Sequence, residues 1–433
     1  MIPVVPRTPV AASRASVAAS LLFCALGAAL ALPACDAGGP EPADPPRELT
    51  AQEQAVSDAA SRDFGLRLFR TVNAAGEGEN VFLSPLSVSM ALGMTLNGAE
   101  GATRTAMEET LALNGLSQKE INESYRSLIE LLAGLDPKVQ FSLANSIWHR
   151  NTFPVEQPFI DTNKEYFDAE VAALDFDSPQ APATINDWVA GATKGKIEEI
   201  VQPPIPPEMV MYLINAIYFK GDWTYQFDEK KTEEAPFTLA DGSEKTVDMM
   251  HQTEPTFAHY GDETLEAVDL PYGDSLYTMT VLVPRRTPEG PASADSLAAD
   301  LDAERWQAVT RGLRESERKA GVVLPRFELE YEKTLNDVLK AMGMEEAFLP
   351  EQSDFSGINT SAGEDLYISK VKHKSFVKVN EEGTEAAAAT SVGIGLTSTG
   401  PPVVRADRPF LFVIRENHSG TILFIGKVGD PPA

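Results

Sequence analysis

Val379-Asn380-Glu381-Glu382-Gly383-Thr384-Glu385-Ala386-Ala387-Ala388-Ala389-Thr390 leads into an uncharged run, residues 386–404, AAAATSVGIGLTSTGPPVV. The chain is 23% charged, so about four charges are expected among those 19 residues, and none is present. Read blandly, this is a small-residue linker. Its period says more. One alternate row is Thr384, Ala386, Ala388, Thr390, Val392, Ile394 and Leu396, uncharged throughout and more hydrophobic toward its end. The other row is Glu385, Ala387, Ala389, Ser391, Gly393, Gly395 and Thr397, small or polar and opened by an acid. Period-two alternation is the mark of a half-buried strand, and a linker has no reason to alternate. A segment that is a protease-accessible loop in one state and a strand in another accounts for both features. A charge on the inner row would be buried without a partner.

Working outward, strong strand patterns flank this run. Residues 366–379, 409–414 and 421–428 read as strands, as do 139–148 and 276–283. Residues 209–219, MVMYLINAIYF, are uncharged and apolar on both faces, which suits a strand in the middle of a covered sheet, with a buried helix as the alternative. Helical spacing dominates earlier. Residues 52–73 place Val56, Phe64, Leu68 and Val72 on one face. Ser84-Pro85 supplies an N-cap and a first-turn proline for a helix through Leu96. Residues 118–133, 184–193 and 333–342 are further helices, the last with Gly343 as its C-cap. Helices first and strands later, without regular alternation, indicate an α+β fold. No second linker interrupts residues 51–433, which form one domain.

The 433 residues carry 36 basic and 64 acidic side chains, a net charge of -28. That disfavours nucleic acid as a partner, since phosphate contacts need clustered positive charge. Residues 1–34 contain Arg7 and Arg14, no acids, and a 12-residue apolar core from Leu21 to Leu32. Such a core is too short to span a bilayer and reads as a secretory signal. It ends Leu32-Pro33-Ala34-Cys35, which resembles the lipobox of bacterial lipoproteins, with Pro33 departing from the usual residue. Once the segment containing Cys24 is removed, Cys35 is the only cysteine left, so no internal disulfide can form. The expectation is export to the cell envelope or beyond, with Cys35 lipidated as a membrane tether. Residues 35–50 are rich in proline and glycine and read as a semi-extended spacer.

Catalytic and ligand motifs are missing. There is no GxSxG, HExxH or CxxC, and the histidines at 149, 251, 259, 373 and 418 form no local metal-ligand cluster. The GxxxxG at 395–400 is followed by Pro401 where a phosphate loop needs lysine. The reading is a non-enzyme that needs no cofactor.

The opening stretch resembles the hinge of a serpin. Four others agree, in the family's order. Asn80-Val81-Phe82-Leu83-Ser84-Pro85-Leu86-Ser87-Val88 resembles the shutter segment, and Asn215-Ala216-Ile217-Tyr218-Phe219-Lys220-Gly221-Asp222-Trp223 the strand leading to the breach. Val371-Lys372-His373-Lys374 places a histidine where the family's shutter histidine lies. Asp407-Arg408-Pro409-Phe410-Leu411-Phe412 with Phe424-Ile425-Gly426-Lys427-Val428 resembles the C-terminal barrel pair.

The resemblance implies three β-sheets, about nine helices and an exposed reactive-centre loop. It implies a monomeric suicide-substrate inhibitor of serine proteases, with a non-inhibitory binding or chaperone protein as the alternative. Gly383 becomes the proximal hinge and Thr384 the first inner residue. Ala386, Ala387, Ala388 and Ala389 keep entry unobstructed, and Glu381, Glu385 and Thr390 belong to the same hinge. The family's hinge spacing puts the scissile bond at Thr397–Ser398, whereas counting back from Arg408-Pro409-Phe410 favours Ser398–Thr399. The hinge count is preferred, with Leu396 a contender for primary specificity. No Arg or Lys lies nearby, which points to elastase-like or subtilisin-like targets. Ser84, Ser87, Asn215 and His373 are assigned to polar bonding beneath the opening sheet, and Trp223 to the breach or to plain core packing.

Overall fold

The computed structural model describes residues 47–76, 80–287, 290–291, 293–384 and 402–432. The first helix begins at Ala51, where Thr50 and Glu53 form a reciprocal capping box. It continues through a π-helical turn, Ala59–Asp63, into Phe64–Ala74. Pro85–Leu96 follows, capped by Ser84, whose side chain accepts from the Ser87 N–H. This helix is apolar nearly all round and therefore wholly internal. Gly101–Thr110, Gln118–Leu132, Gln157–Phe167, Ala181–Ala192, Ala294–Asp300 and Ala303–Glu315 are further helices. A short one, Asn336–Leu339, runs on as a π turn, Lys340–Met344. Counting each continuous run once gives nine α-helical runs among the described residues, beside two short 3-10 turns, Glu229–Lys231 and Gly363–Asp365.

The central sheet has six strands. In chain order they are β1 (Val139–Arg150), β2 (Glu170–Leu174), β3 (Met211–Asp222), β4 (Phe327–Thr334), β5 (Lys372–Val379) and β6 (Gly383–Thr384). Their spatial order is β4-β5-β6-β3-β1-β2. The remaining long strands join in a second system. Glu244–Gly261 is 18 residues long and serves two layers. Its first part pairs with Glu233–Thr238 and Lys319–Pro325, and its end pairs with Leu265–Tyr272. Through it, two of the three expected sheets are continuous. Phe410–Glu416 pairs antiparallel with Ile422–Val428, as the apolar C-terminal pair implied. Phe82 stacks on Phe412 and Phe424 with centroids 5.6 and 5.2 Å apart, which ties this pair to the core beneath the central sheet.

Two sequence readings need correction. Residues 333–342 are not one helix: residues up to Thr334 belong to β4, and Gly343, with φ of +114°, lies inside the π turn instead of beyond it. The reason is legible in FELEYEKT, whose acids alternate outward, with Glu328, Glu330 and Glu332 bound to Lys378, Lys374 and Lys372. Residues 366–371 form no ladder, and the strand begins only at Lys372. Their backbone is used otherwise: Ile368 N–H donates to Ala347 O and Val371 N–H to the Asn336 side chain, both at 2.8 Å.

Candidate functional site: a slot in the central sheet

β3 pairs with β1 from Gly221 to Met211, and β5 pairs with β4 from Val379 to Lys372. Between them, among the described residues, stands only the two-residue β6. Gly383 and Thr384 are level with Asp222 and Gly221 on one side, and Thr384 with Val379 on the other. Below Thr384 no ladder joins β3 to β5 among the described residues. A cavity of about 630 Å³ lies there, lined by Leu213, Asn215, Ile217, Val371, His373 and Ser375. Two strand edges that face each other with no ladder between them among the described residues form a template for one more strand.

The mouth of this slot is tightly built. A Cβ on Gly383 would come within 2.1 Å of Gly221 O, so only glycine lets the chain lie against β3 here. Thr384 is buried, and its hydroxyl lies 2.6 Å from the Tyr272 hydroxyl. Trp223 stacks on Tyr272 with centroids 4.4 Å apart, and its indole N–H donates to Asn380 O at 2.9 Å. Its backbone N–H donates to Glu382 O at 2.7 Å. Trp223 therefore packs as core and also pins the turn that feeds the slot. Glu381 is 3% exposed and is held by Arg326 at 2.6 Å. Burial pushes its carboxyl pKa up, but hydrogen bonds from Arg326 and Thr232 outweigh burial and leave it below the ordinary value.

The floor is polar. Ser84 N–H donates to His373 Nε2 at 3.2 Å. Ser87 Oγ donates to Asn215 O at 3.4 Å, and Ser375 Oγ to Phe82 O at 2.7 Å. The Asn215 amide donates to Asn145 Oδ1 at 2.8 Å, and Asn145 donates to Phe167 O at 2.7 Å. Asn215 Oδ1 is a buried acceptor without a partner among the described residues. His373 accepts at Nε2, so its ring proton sits on Nδ1.

The serpin family model (serine protease inhibitor) matches residues 59–431. This chain belongs to the serpin family. It is 35% identical over 379 residues to human leukocyte elastase inhibitor, covering 86% of this chain and 99% of that protein. It is 36% identical over 380 residues to human serpin B9, covering 86% and 98%. The solved structure of the thermophilic serpin tengpin in its native state has a TM-score of 0.78 at 31% identity, covering 89% of this chain and 97% of that one.

In this serpin the slot brings together eight of the residues singled out from sequence. Glu381, Gly383, Thr384 and Trp223 stand at the mouth, and Ser84, Ser87, Asn215 and His373 in the floor. Glu385, Ala386, Ala387, Ala388, Ala389, Thr390, Leu396, Thr397 and Ser398 lie outside the described residues, as does Cys35. Sequence reasoning missed Tyr272, Arg326, Asn145 and Ser375. Ser375 was findable, two residues beyond His373 on the same strand face. Tyr272 and Arg326 reach the hinge from distant segments and have no local signal. No group of three or more His, Cys, Asp or Glu among the described residues is arranged to hold a metal.

Burial holds the His373 pKa down to about 4. An unfolded histidine titrates near 6.5, so the unfolded chain binds the extra proton first as pH falls. Stability contributed by neutral His373 is therefore complete above about pH 6.5 and is lost progressively toward pH 4, by roughly 3 kcal/mol. Glu381, with its lowered carboxyl pKa, loses its contribution below the ordinary glutamate value near 4.5. His251 and His259 are also lowered by burial, so the test is a difference. His373→Asn should flatten the fall in denaturation midpoint between pH 6.5 and 4.5 relative to wild type; an unchanged slope would refute the assignment.

Proposed function

We propose that this chain is a suicide-substrate inhibitor of serine proteases. The observation that carries the reading is the slot, with the first two residues of a further strand already seated at its mouth. Strand addition to an open sheet edge is a general mode of recognition, and serpin loop insertion is one of its established examples. A target protease attacks the loop as a substrate and forms an acyl-enzyme. The freed loop then enters between β3 and β5. From Gly383 to Thr397 it makes about 46 Å of strand, which carries the acylated protease toward the far pole. A displacement of about 1 Å in catalytic geometry can already cost 10²-fold, so deacylation stops. The chain supplies no catalysis of its own.

The register supports the parity read from sequence. Thr384 points inward, so Ala386, Ala388, Thr390, Val392, Ile394 and Leu396 follow on the inner row. Each residue after Thr384 comes level with one residue earlier in β3 and in β5. Thr390 then arrives beside Asn215 and His373, where the free Asn215 acceptor can take its hydroxyl proton. The two polar residues of the inner row thus meet the polar groups of the slot, Thr384 at Tyr272 and Thr390 at Asn215.

The target class follows from the loop and from likeness. Thr397–Ser398 is the proposed reactive bond, with Leu396 beside it, and human leukocyte elastase inhibitor is a relative at 35% identity. Elastase-like or subtilisin-like proteases suit such residues. Incubation with an elastase-like serine protease should give a complex that survives boiling in detergent, and the mass of the released C-terminal peptide should report cleavage after Thr397. Complete cleavage with fully active protease would overturn the reading. Thr384→Arg places a charge where the side chain is already buried against Tyr272, so the variant residue leaves the mouth and must be buried again, at a cost of several kcal/mol, before the loop can insert. The variant should become a substrate, with at least about tenfold more inhibitor consumed per protease trapped. Equal inhibition would refute insertion at this position.

The proposal includes export. A bacterial lipoprotein-type signal over residues 1–34, diacylation of Cys35 and the proline-rich spacer would hold the inhibitor at the cell envelope. Cys35→Ser should move the protein from the membrane fraction to the soluble fraction; retention in the membrane would count against the tether.

A further inference from the structure

Glu385 is the only charged residue between Glu382 and Arg405. It follows Thr384, the last residue of β6, so on a continuing strand its side chain takes the opposite face, away from the core. The ladder says what it meets there. Thr384 is level with Gly221 on β3 and with Val379 on β5, so the next residue comes level with Lys220 and Lys378. Both lysines stand on that outer face, because their neighbours face inward, Gly221 toward Tyr272 and Val379 into the core. A small cleft opens at this level beside Thr384. Lys378, Lys196, Phe376 and Tyr218 line it, and no carboxylate does among the described residues. Lys196 comes from the segment after Ala181–Ala192, with its Nζ over the Phe376 ring, 4.8 Å from the ring centre.

In a chain with 64 acids and 36 bases, three lysines about one acid-free level are out of proportion. Their surroundings differ. Lys378 is level with Glu328 on β4 and bonds it at 2.9 Å. Lys220 is level with the neutral Gln140 on β1 and has no ion-pair partner among the described residues. Across the slot Lys220 and Lys378 are two strand spacings apart, about 10 Å. That is close to the screening length at physiological salt, so they repel only weakly. A carboxylate seated midway halves each distance and sets two attractions against one repulsion. Opposite charges directly across a strand pair favour pairing, and each exposed pair of this kind is worth up to about a fivefold change in an equilibrium. Glu385 is also the earliest residue able to supply such a bond. The four alanines after it carry no polar side chain, so Glu385 alone can hold the first steps of entry before Thr390 reaches Asn215.

We propose that Lys220 and Lys378 form a carboxylate seat for Glu385, and that filling it commits the cut loop to insertion before the acyl-enzyme is hydrolysed. This deepens the insertion reading above and rests on it. The three are positioning residues, since none touches the reacting bond. Glu385→Gln in the full chain should leave the total rate of loop cleavage unchanged and raise the inhibitor consumed per protease trapped about three- to tenfold. Lys220→Gln should raise it about two- to fivefold, and should add nothing once Glu385→Gln is present. Charge reversal gives a sharper test. Glu385→Lys should be worse than Glu385→Gln. Lys220→Glu should harm the wild-type protein and improve the Glu385→Lys variant, a change of sign that lost packing does not produce. Raising salt from about 0.05 to 0.5 M should close the gap between wild type and Glu385→Gln. Independent effects at 385 and 220, or harm from Lys220→Glu in both backgrounds, would overturn the seat. Thr384→Arg keeps the two readings apart. If Thr384→Arg becomes a substrate while Glu385→Gln traps as well as wild type, the seat is wrong and insertion stands. If Thr384→Arg traps as well as wild type, insertion itself fails, whatever Glu385 does.

Discussion

The structure depends on two strand edges that face each other without pairing. β3 and β5 each pair on one side, and across the slot, among the described residues, only Gly383 and Thr384 bridge them. Buried backbone polar groups are almost always paired, so under the proposed mechanism an arrangement that leaves two rows open would lie above the free energy of the inserted form. One more strand would satisfy both rows at once and fill the cavity with apolar side chains. A fold held above such a minimum persists because the route down is slow, and its working stability is a rate.

That view explains why both ends of the loop are so firmly held. At the near end, Trp223, Arg326 and the Gly383–Gly221 contact fix where the next strand must start. Entry is therefore a zipping reaction with its first register pair already made. At the far end, the buried Arg408 guanidinium ties the carbonyls of Arg405 and Pro284 together. Cleavage separates the loop's two ends and leaves the near register pair in place. The protease supplies the step that the chain cannot take alone, and the trap is sprung by the event it is built to detect.

Much of this was legible in the sequence because the decisive features are local. The alternation from Thr384 to Leu396, the Ser84-Pro85 cap and the apolar run that became β3 are written in consecutive residues. The illegible parts are contacts between distant segments. Nothing near Tyr272 marks it as the partner of Thr384, and Arg326 lies 55 residues from Glu381. Residues 366–371 looked like strand because they alternate, yet their backbone bonds go to Ala347 and Asn336, which no local pattern could reveal. The strands at Glu233–Thr238 and Glu244–Gly261 were passed over because they are rich in charge. They lie in a sheet with one face toward solvent, where acids and lysines are tolerated.

The floor of the slot completes the argument. An all-apolar floor would favour closing β3 onto β5, because the hydrophobic drive is non-directional and rewards any collapse. Ser84, Ser87, Asn215, Ser375 and His373 resist that, since each must keep a directed hydrogen bond. Each such bond is worth only about 1 kcal/mol net, so the network can be rearranged one bond at a time as a strand arrives. Keeping His373 neutral belongs to the same design. A protonated ring could no longer accept from Ser84 N–H, and an unpaired cation would sit beneath the inner row of the entering strand. The polar floor thus holds the slot open in the intact protein while leaving it able to receive a strand.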